Sequence, residues 1–270
     1  MTTVVALADR GVLALAGPDR TGFLQGLVSA DVARVAPERA AWSALLTPQG
    51  RWLAEFFLYA DGERLLLEGL RATLADVRER LSRHRLRARV EIADLSNEFS
   101  VHASWDGPPP LAPGMIAAPD PRLAEAGWRL LSPAPLAATA AEEAWRAHRI
   151  GLGLPDSEDL EAGRTLLMEA GFDELGAIAW EKGCYLGQEV TARSRYRGLV
   201  RRRLVRVAVR GDLPEPGTPV TLAGAEAGTM RSGIGAQGLA MLRLKALGAG
   251  PLRCGGAELR PDPPAWMRLP

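Results

Sequence analysis

Short apolar runs with strand-like spacing occur along the first part of the chain. The run "VLALAG" at 12–17 predicts one strand, and residues 51–70 predict two strands joined by a hairpin turn at Asp61-Gly62. Residues 88–105 show the same strand-like pattern after a charged interval. These runs indicate that the body of the protein is built on β-sheet.

Segments with helical spacing separate these strands. Residues 72–86 have apolar residues on a single face and charged residues between them, which predicts an amphipathic helix with buried positions at Leu74, Val77 and Leu81. Further helices are predicted over 19–35, over 138–151 and after Gly183. Strands and helices together predict an α+β fold.

The sequence pattern changes after Gly198. From there onward, short strand-like runs alternate with Gly and Pro, which predicts a small C-terminal β-barrel. Earlier in the chain, a stretch rich in Pro, Gly and Ala at 106–121 predicts a loop or a subdomain junction. We therefore expect three parts: a first α/β subdomain over 1–105, a second over 106–198, and the barrel over 199–270.

The composition indicates a soluble globular protein in a reducing compartment. Hydrophobic residues make up 47% of the chain and the net charge is +1, so bulk charge does not favour nucleic acid or membrane. The two cysteines, Cys184 and Cys254, are too few for a disulfide framework, and no zinc-ligand spacing is found. We expect a cytoplasmic protein with no metal site and no membrane contact.

The segment around Cys184 is the first candidate for chemistry. Lys182 lies two residues before it and a helix is predicted to follow, and both features would lower the pKa of the thiol. On such a helix Gln188 would share the face of Cys184. The alternative is that Cys184 is a small buried core residue. No histidine lies nearby in sequence, so a protease-like Cys-His pair is not expected.

Two further features suit an anionic or heterocyclic ligand. An arginine run predicts either a contact for RNA, phosphate or a glutamate tail, or a solvated rim balanced by carboxylates, and it includes Arg193, Arg195, Arg197 and Arg203. Trp145 and Trp180 flank an irregular segment at 156–180. Their rings could stack on a heterocyclic ligand, or they could simply fill the core.

Residues 182–189, "KGCYLGQE", resemble the signature of the YgfZ family, which comprises folate-binding homologues of the glycine cleavage T-protein and mitochondrial iron–sulfur assembly relatives. The matching positions are Lys182, Gly183, Cys184, Tyr185, Gly187, Gln188 and Glu189. Looser similarity at 17–32, 46–59 and 144–160, and in the C-terminal strands, extends the resemblance over nearly the whole chain.

The resemblance implies a T-protein-like body of two related halves around a central cavity, followed by the barrel. It implies a tetrahydrofolate-type ligand in that cavity and Cys184 as the reactive residue, with Lys182 favouring its thiolate. Tyr185, Gln188 and Glu189 would shape the site. The implied function is assembly or maintenance of 4Fe–4S proteins, including radical enzymes that modify tRNA, and the implied partners are iron–sulfur client or assembly proteins.

Departures from the T-protein pattern bear on the alternatives. The catalytic aspartate of the T-protein aligns with Ala75, beside Asp76, so a folate-dependent aminomethyl- or methyltransferase requires Asp76 to face the cavity. Trp145 matches a folate-contacting tryptophan, whereas a second one aligns near Arg10. A third hypothesis is a tRNA-binding module that uses the arginine run, and it predicts RNA binding that weakens steeply with salt.

Overall fold

The computed structural model describes residues 1–196, 198 and 200–269. Its first sheet has five antiparallel strands in the order β3-β4-β5-β2-β6. The strands are β2 Arg10–Ala16, β3 Ala41–Leu46, β4 Trp52–Asp61, β5 Arg64–Leu70 and β6 Glu91–Asp94. The predicted hairpin is present, because Asp61 ends β4 and pairs with Arg64 at the start of β5.

The second sheet has four antiparallel strands in the order β1-β7-β9-β8. They are β1 Thr3–Ala6, β7 Ser100–Trp105, β8 Ile116–Pro119 and β9 Trp128–Ser132. Residues 106–121 were expected to form a loop or a subdomain junction, but they include strand β8, whose residues pair with β9. The predicted boundary between residues 105 and 106 falls within this sheet, since β7 and β8 both pair with β9.

The described helices are α1 Arg20–Gln25, α2 Arg71–Arg85, α3 Glu142–Gly151 and α4 Gln188–Tyr196. The predictions for α2 and α3 are confirmed. The prediction of one helix over 19–35 is wrong: α1 ends at Gln25, with Gly26 as its C-cap, and a short 3-10 helix follows only at Val32–Arg34. Between them Val28 forms an isolated β-bridge with Leu45, which is incompatible with a continuous helix.

The C-terminal β-barrel prediction is confirmed by a closed six-stranded barrel in the order β10-β13-β12-β11-β14-β15. Its strands are β10 Arg202–Arg210, β11 Pro219–Leu222, β12 Ala225–Ile234, β13 Gln237–Arg243, β14 Leu252–Cys254 and β15 Ala257–Pro261. Closure pairs β10 with both β13 and β15, so every strand has two neighbours. Cys254 is fully buried in the apolar core of this barrel.

The largest apolar core includes residues from both sheets and from the segment that follows α3. Trp42 and Phe57 come from the first sheet, Ala103 comes from the second, and Phe172 comes from the irregular segment. The rings of Trp42 and Phe172 stack with their centroids 4.0 Å apart. The segment 156–180 therefore contributes to the core. No helix in the described ranges is long and apolar enough to cross a membrane.

Candidate functional site

Cys184 lies on a loop, residues 181–187, that leads into α4, and its side chain is exposed. The alternative of a small buried core cysteine is therefore wrong for Cys184. The helix predicted after Gly183 begins only at Gln188, so Gln188 does not share a helical face with Cys184 as expected. Gly187 directly precedes α4 at φ +82°, a left-handed conformation that glycine accepts readily and that does not continue a helix. We call residues 181–187 the Cys184 loop.

Lys182 anchors the Cys184 loop to the segment that contains Val28 and Ala30. Its Nζ donates hydrogen bonds of 2.7 Å to the backbone oxygens of Val28 and Ala30, and it lies 5.0 Å from the centroid of the Tyr185 ring. Burial lowers the pKa of Lys182 to about 8, although the Asp31 carboxylate acts in the opposite direction. Within the described residues, no hydrogen bond joins this ammonium group to Cys184. Its action on the thiolate stays a prediction, whereas its anchoring contacts are direct.

The backbone of the Cys184 loop packs closely against the turn between β3 and β4. A Cβ atom added to Gly187 would lie 2.6 Å from the Thr47 carbonyl oxygen and 2.9 Å from the Leu46 Cβ. Gly50, at φ +70°, faces the same contact, and a Cβ there would lie 2.9 Å from the Gly187 oxygen. The "LTPQG" segment and the cysteine segment therefore fit together only because both positions are glycine.

The other matching residues support the loop in different ways. Tyr185 is buried, and burial raises its pKa to about 12. The side-chain oxygen of Gln188 accepts a 3.3 Å hydrogen bond from the Tyr185 backbone N–H. Glu189 is exposed and forms an ion pair with Arg193 one helical turn later. Tyr185 and Gln188 thus fix the path of the backbone, and Glu189 lies at the surface of α4.

A cavity of about 330 Å³ lies between the start of β2, the end of β5 and α3. Its lining includes Trp145, Asp9, Glu142 and Arg146. Both Asp9 and Glu142 are exposed to solvent, and partial burial together with neighbouring carboxylates raises the pKa of each. Asp76 is exposed on α2 and does not line the cavity. The aminomethyltransferase alternative therefore lacks the carboxylate that it required.

The structure separates the two tryptophans that were expected to bind a cofactor. Trp145 lines the central cavity, although only 4% of it is exposed. Trp180 instead donates a 2.6 Å hydrogen bond to Asp173, and the Arg195 guanidinium lies 4.3 Å from its ring centroid. Trp180 packs beside α4 and does not line this cavity, and cofactor binding by either ring stays a prediction.

Comparison with known proteins gives the family. A family model described as "CAF17, C-terminal beta-barrel domain" matches residues 201–269. The mitochondrial iron–sulfur cluster assembly factor IBA57 of Mus musculus is 31% identical, with 95% of this chain and 81% of the mouse protein covered. The chain belongs to the IBA57 family. The human IBA57 protein is 30% identical over 93% of this chain and 80% of its own length.

A solved structure confirms the fold of this IBA57-family chain. The glycine cleavage system aminomethyltransferase T of Bartonella henselae superimposes with a TM-score of 0.78 over 99% of this chain and 87% of the other. Identity between the two is 14%, so this likeness shows the fold alone. The expected T-protein-like body with a C-terminal barrel is thereby confirmed.

A buried ion cluster beside the cavity was not predicted from the sequence. Arg10 pairs with Glu55 at 3.1 Å, Glu68 at 2.5 Å and Asp156 at 3.2 Å, and Arg129 also pairs with Glu68. The signal in the sequence was a single charged residue within each of the apolar runs "WLAEFFLY" and "LLLEGL". Such isolated charges in a buried strand of this IBA57-family chain require partners from other elements.

The arginine run is distributed over several contacts instead of forming one patch. Arg202 pairs with Glu169 at 2.8 Å, and Arg203, which is buried, pairs with Glu174 at 2.6 Å. Arg193 is half-exposed in its pair with Glu189, Arg195 packs on Trp180, and Arg197 lies outside the described residues. In this IBA57-family chain the run therefore joins α4 and the barrel to the preceding segment, which favours the balanced-rim interpretation.

Proposed function

We propose that this protein acts in the assembly or maintenance of 4Fe–4S proteins and that Cys184 is its reactive residue. The observation that carries the proposal is an exposed thiol at the surface of a loop whose backbone is fixed on both sides. Lys182 fixes the loop before Cys184, and the contact of Gly187 with Thr47 and Gly50 fixes it after Cys184. An exposed thiol in a fixed position can meet a cluster or a partner protein without rearrangement of the loop.

The donor set around Cys184 supports a role that is shared with a partner. Within the described residues, no group of three or more His, Cys, Asp or Glu side chains is placed to hold a metal ion. Iron–sulfur clusters are held mainly by several cysteine thiolates, so one thiol from this chain needs further ligands from another protein. We therefore propose that Cys184 contacts the cluster, as cargo, at an interface with an iron–sulfur client or assembly protein.

The finer assignments follow from the "KGCYLGQE" segment. We propose that the chain belongs with the YgfZ group of proteins and that its clients include radical enzymes that modify tRNA. We also propose a cytoplasmic location; the exposed, unpaired thiol indicates a reducing compartment, and the relatives compared above are named as mitochondrial. Direct RNA contact through Arg193–Arg203 is a separate prediction, with less support because Arg202 and Arg203 are paired with glutamates.

Cys184→Ala is expected to abolish the activity of client 4Fe–4S enzymes in a strain that lacks the endogenous protein. The side chain is exposed, so the variant should unfold at the same temperature as the original protein. Cys254→Ala is the matched control, since it removes the other thiol from the buried barrel core and should retain client activity. Full client activity with Cys184→Ala would show that the thiol is not the reactive group.

We further propose that the central cavity binds a reduced folate. Asp9 and Glu142 present carboxylates to the hydrogen-bond donors of a pterin ring, and Trp145 supplies an apolar wall. Arg146, on the same cavity, is paired with Glu158 at 3.0 Å, and in the complex it would offer its cation to the glutamate tail instead. A reduced folate carries one-carbon units when bound. The residues of this chain would hold and orient it, and no step of transfer is assigned to them.

Titration calorimetry with 5-formyltetrahydrofolate tests this cavity. Glu142→Gln removes one charged acceptor and is expected to weaken binding by about 10-fold or more. Asp76→Asn is the control and should bind normally, because Asp76 is exposed away from the cavity. Weaker binding by Asp76→Asn would revive the transferase alternative. If no binding is observed, the folate proposal is contradicted. The proposal for Cys184 is unaffected, because the Cys184→Ala experiment tests it separately.

A further inference from the structure

A second group of arginines lies at the C-terminal end of α2. Residues 78–91 contain six arginines and two glutamates, a local charge of +4 in a chain whose net charge is +1. All six arginines are exposed: Arg78, Arg80, Arg83, Arg85, Arg87 and Arg89. We call residues 78–91 the α2 patch. Positive charge is therefore concentrated in this short segment, and the rest of the chain carries a net charge of −3.

Most of this charge is available to a partner. Arg83 pairs with Glu79 and Arg89 with Asp19, but these two arginine side chains remain 69% and 75% exposed. Within the described ranges, Arg78, Arg80 and Arg87 have no carboxylate within ion-pair distance. The α2 patch thus differs from the run after Cys184, in which Arg202 and Arg203 pair with glutamates whose side chains are only 7% and 8% exposed.

Leu86, between two of these arginines, has no structural role that explains it. It follows the last residue of α2, and 88% of it is exposed. Its backbone adopts φ +44° and ψ −108°, a conformation that glycine accepts and other residues avoid. A leucine here exposes apolar surface and also strains the backbone, and both effects lower the stability of the folded protein. Backbone strain at an exposed apolar residue indicates a function for the residue.

A groove beside Leu86 gives space for a small anionic group. Its volume is about 500 Å³, and its lining includes Gly17, Pro18, Arg85 and Arg87. The groove is lined by arginines on the side of Leu86 and by the end of β2 on the other. An anionic headgroup in this groove would lie next to an exposed aliphatic side chain.

We propose that the α2 patch docks on an anionic lipid surface, with Leu86 among the headgroups and the arginines on lipid phosphates. Basic clusters of this size bind anionic bilayers, and each basic residue near the surface contributes to the affinity. An apolar side chain at the centre adds burial that phosphate contacts alone do not supply. The contact is peripheral, and it depends on local charge, which the net charge of the chain does not reveal.

Nucleic acid is a weaker match to the same residues. Proteins that bind single strands combine arginines with aromatic rings on which bases stack. Residues 78–91 contain no Phe, Tyr or Trp. An exposed leucine also contributes nothing to phosphate contacts. The combination of arginines with Leu86 therefore favours lipid, and RNA becomes an outcome that the experiment distinguishes.

Co-sedimentation with vesicles tests the proposal. The full chain is expected to bind phosphatidylcholine vesicles that contain about 30% phosphatidylglycerol, and not phosphatidylcholine alone, because the arginines require anionic lipid. Arg80→Glu with Arg87→Glu should weaken binding at least about 10-fold. Leu86→Ser, which keeps the charge, should weaken it about 3- to 10-fold. Raising the salt from about 0.1 M to about 0.5 M should release the protein.

Two matched variants separate docking from folding. Arg210→Glu with Lys245→Glu makes the same change in charge on exposed barrel positions and should leave vesicle binding nearly unchanged. Leu86→Gly should raise the melting temperature, because it relieves the strained backbone, yet weaken vesicle binding. The proposal is overturned if the chain does not bind anionic vesicles or if Leu86→Ser binds as well as the original. It is also overturned if the protein binds a homopolymeric RNA through these arginines but does not bind anionic vesicles.

Discussion

Glu68→Gln is expected to lower the free energy of unfolding by about 3–5 kcal/mol, because it leaves the buried Arg129 without its ion-pair partner and removes one of the three carboxylates that pair with Arg10. Glu68 is fully buried, pairs with both Arg10 and Arg129, and accepts a 2.8 Å hydrogen bond from the Tyr59 hydroxyl. The amide keeps the shape of the side chain but provides no negative charge. Denaturation in urea, followed by tryptophan fluorescence, measures the loss.

The same carboxylate should make stability depend on acid. Burial alone would raise the pKa of Glu68, but the guanidinium groups of Arg129 and Arg10 hold it below the ordinary value of 4.5. The stabilisation from Glu68 is therefore complete above pH 4.5 and is lost as the pH falls through the lower folded-state pKa. Glu63→Gln, at an exposed turn position, is the control and should change stability by less than about 0.5 kcal/mol. A loss below about 1 kcal/mol for Glu68→Gln would contradict the importance of the buried pairing.

Gly187→Ala is expected to lower the free energy of unfolding by about 2 kcal/mol or more and to abolish client activity while Cys184 is still present. The new Cβ would lie 2.6 Å from a backbone oxygen and would impose a side chain on a residue at φ +82°. The Cys184 loop must then move away from the turn at 47–50. Chemical denaturation and complementation of 4Fe–4S enzyme activity measure the two effects.

The glycine in the same loop before Cys184 provides the control for that experiment. Nothing lies within 4 Å of a Cβ added to Gly183, and its φ is not in the left-handed region. Gly183→Ala should therefore keep both stability and client activity. Equal behaviour of the two variants would mean that the close approach of Gly187 to Thr47 does not set the position of the thiol.

The periodicity of the sequence was sufficient for the elements with strong local patterns. Leu74, Val77 and Leu81 are all buried on α2, and the Gly- and Pro-punctuated runs after Gly198 form the barrel. The start of α4 was predicted too early, because the contact that fixes Gly187 comes from residues 47–50. A contact between segments so far apart leaves no periodic signal near the cysteine.

The pairing of the buried charges and the exposure of Cys184 also could not be predicted from local sequence patterns. Arg10 meets partners from β4, from β5 and from the segment after α3, and only the assembled sheets bring them together. Cys184 and Cys254 have similar flanking glycines, yet one is exposed and the other fully buried. Which thiol meets solvent depends on tertiary packing, whereas the family resemblance of "KGCYLGQE" had already favoured Cys184.

The position of β1 has a consequence for the order of folding during synthesis. Val5 pairs with Ala103, and the backbone of Val4 exchanges hydrogen bonds with Thr139. Strand β1 therefore leaves the ribosome well before its partner β7 and stays unpaired until residue 105 has been made. The first sheet can form from residues 10–94 in the meantime. During that interval β1 is an exposed apolar strand, and a chaperone that holds nascent chains would find its binding site there.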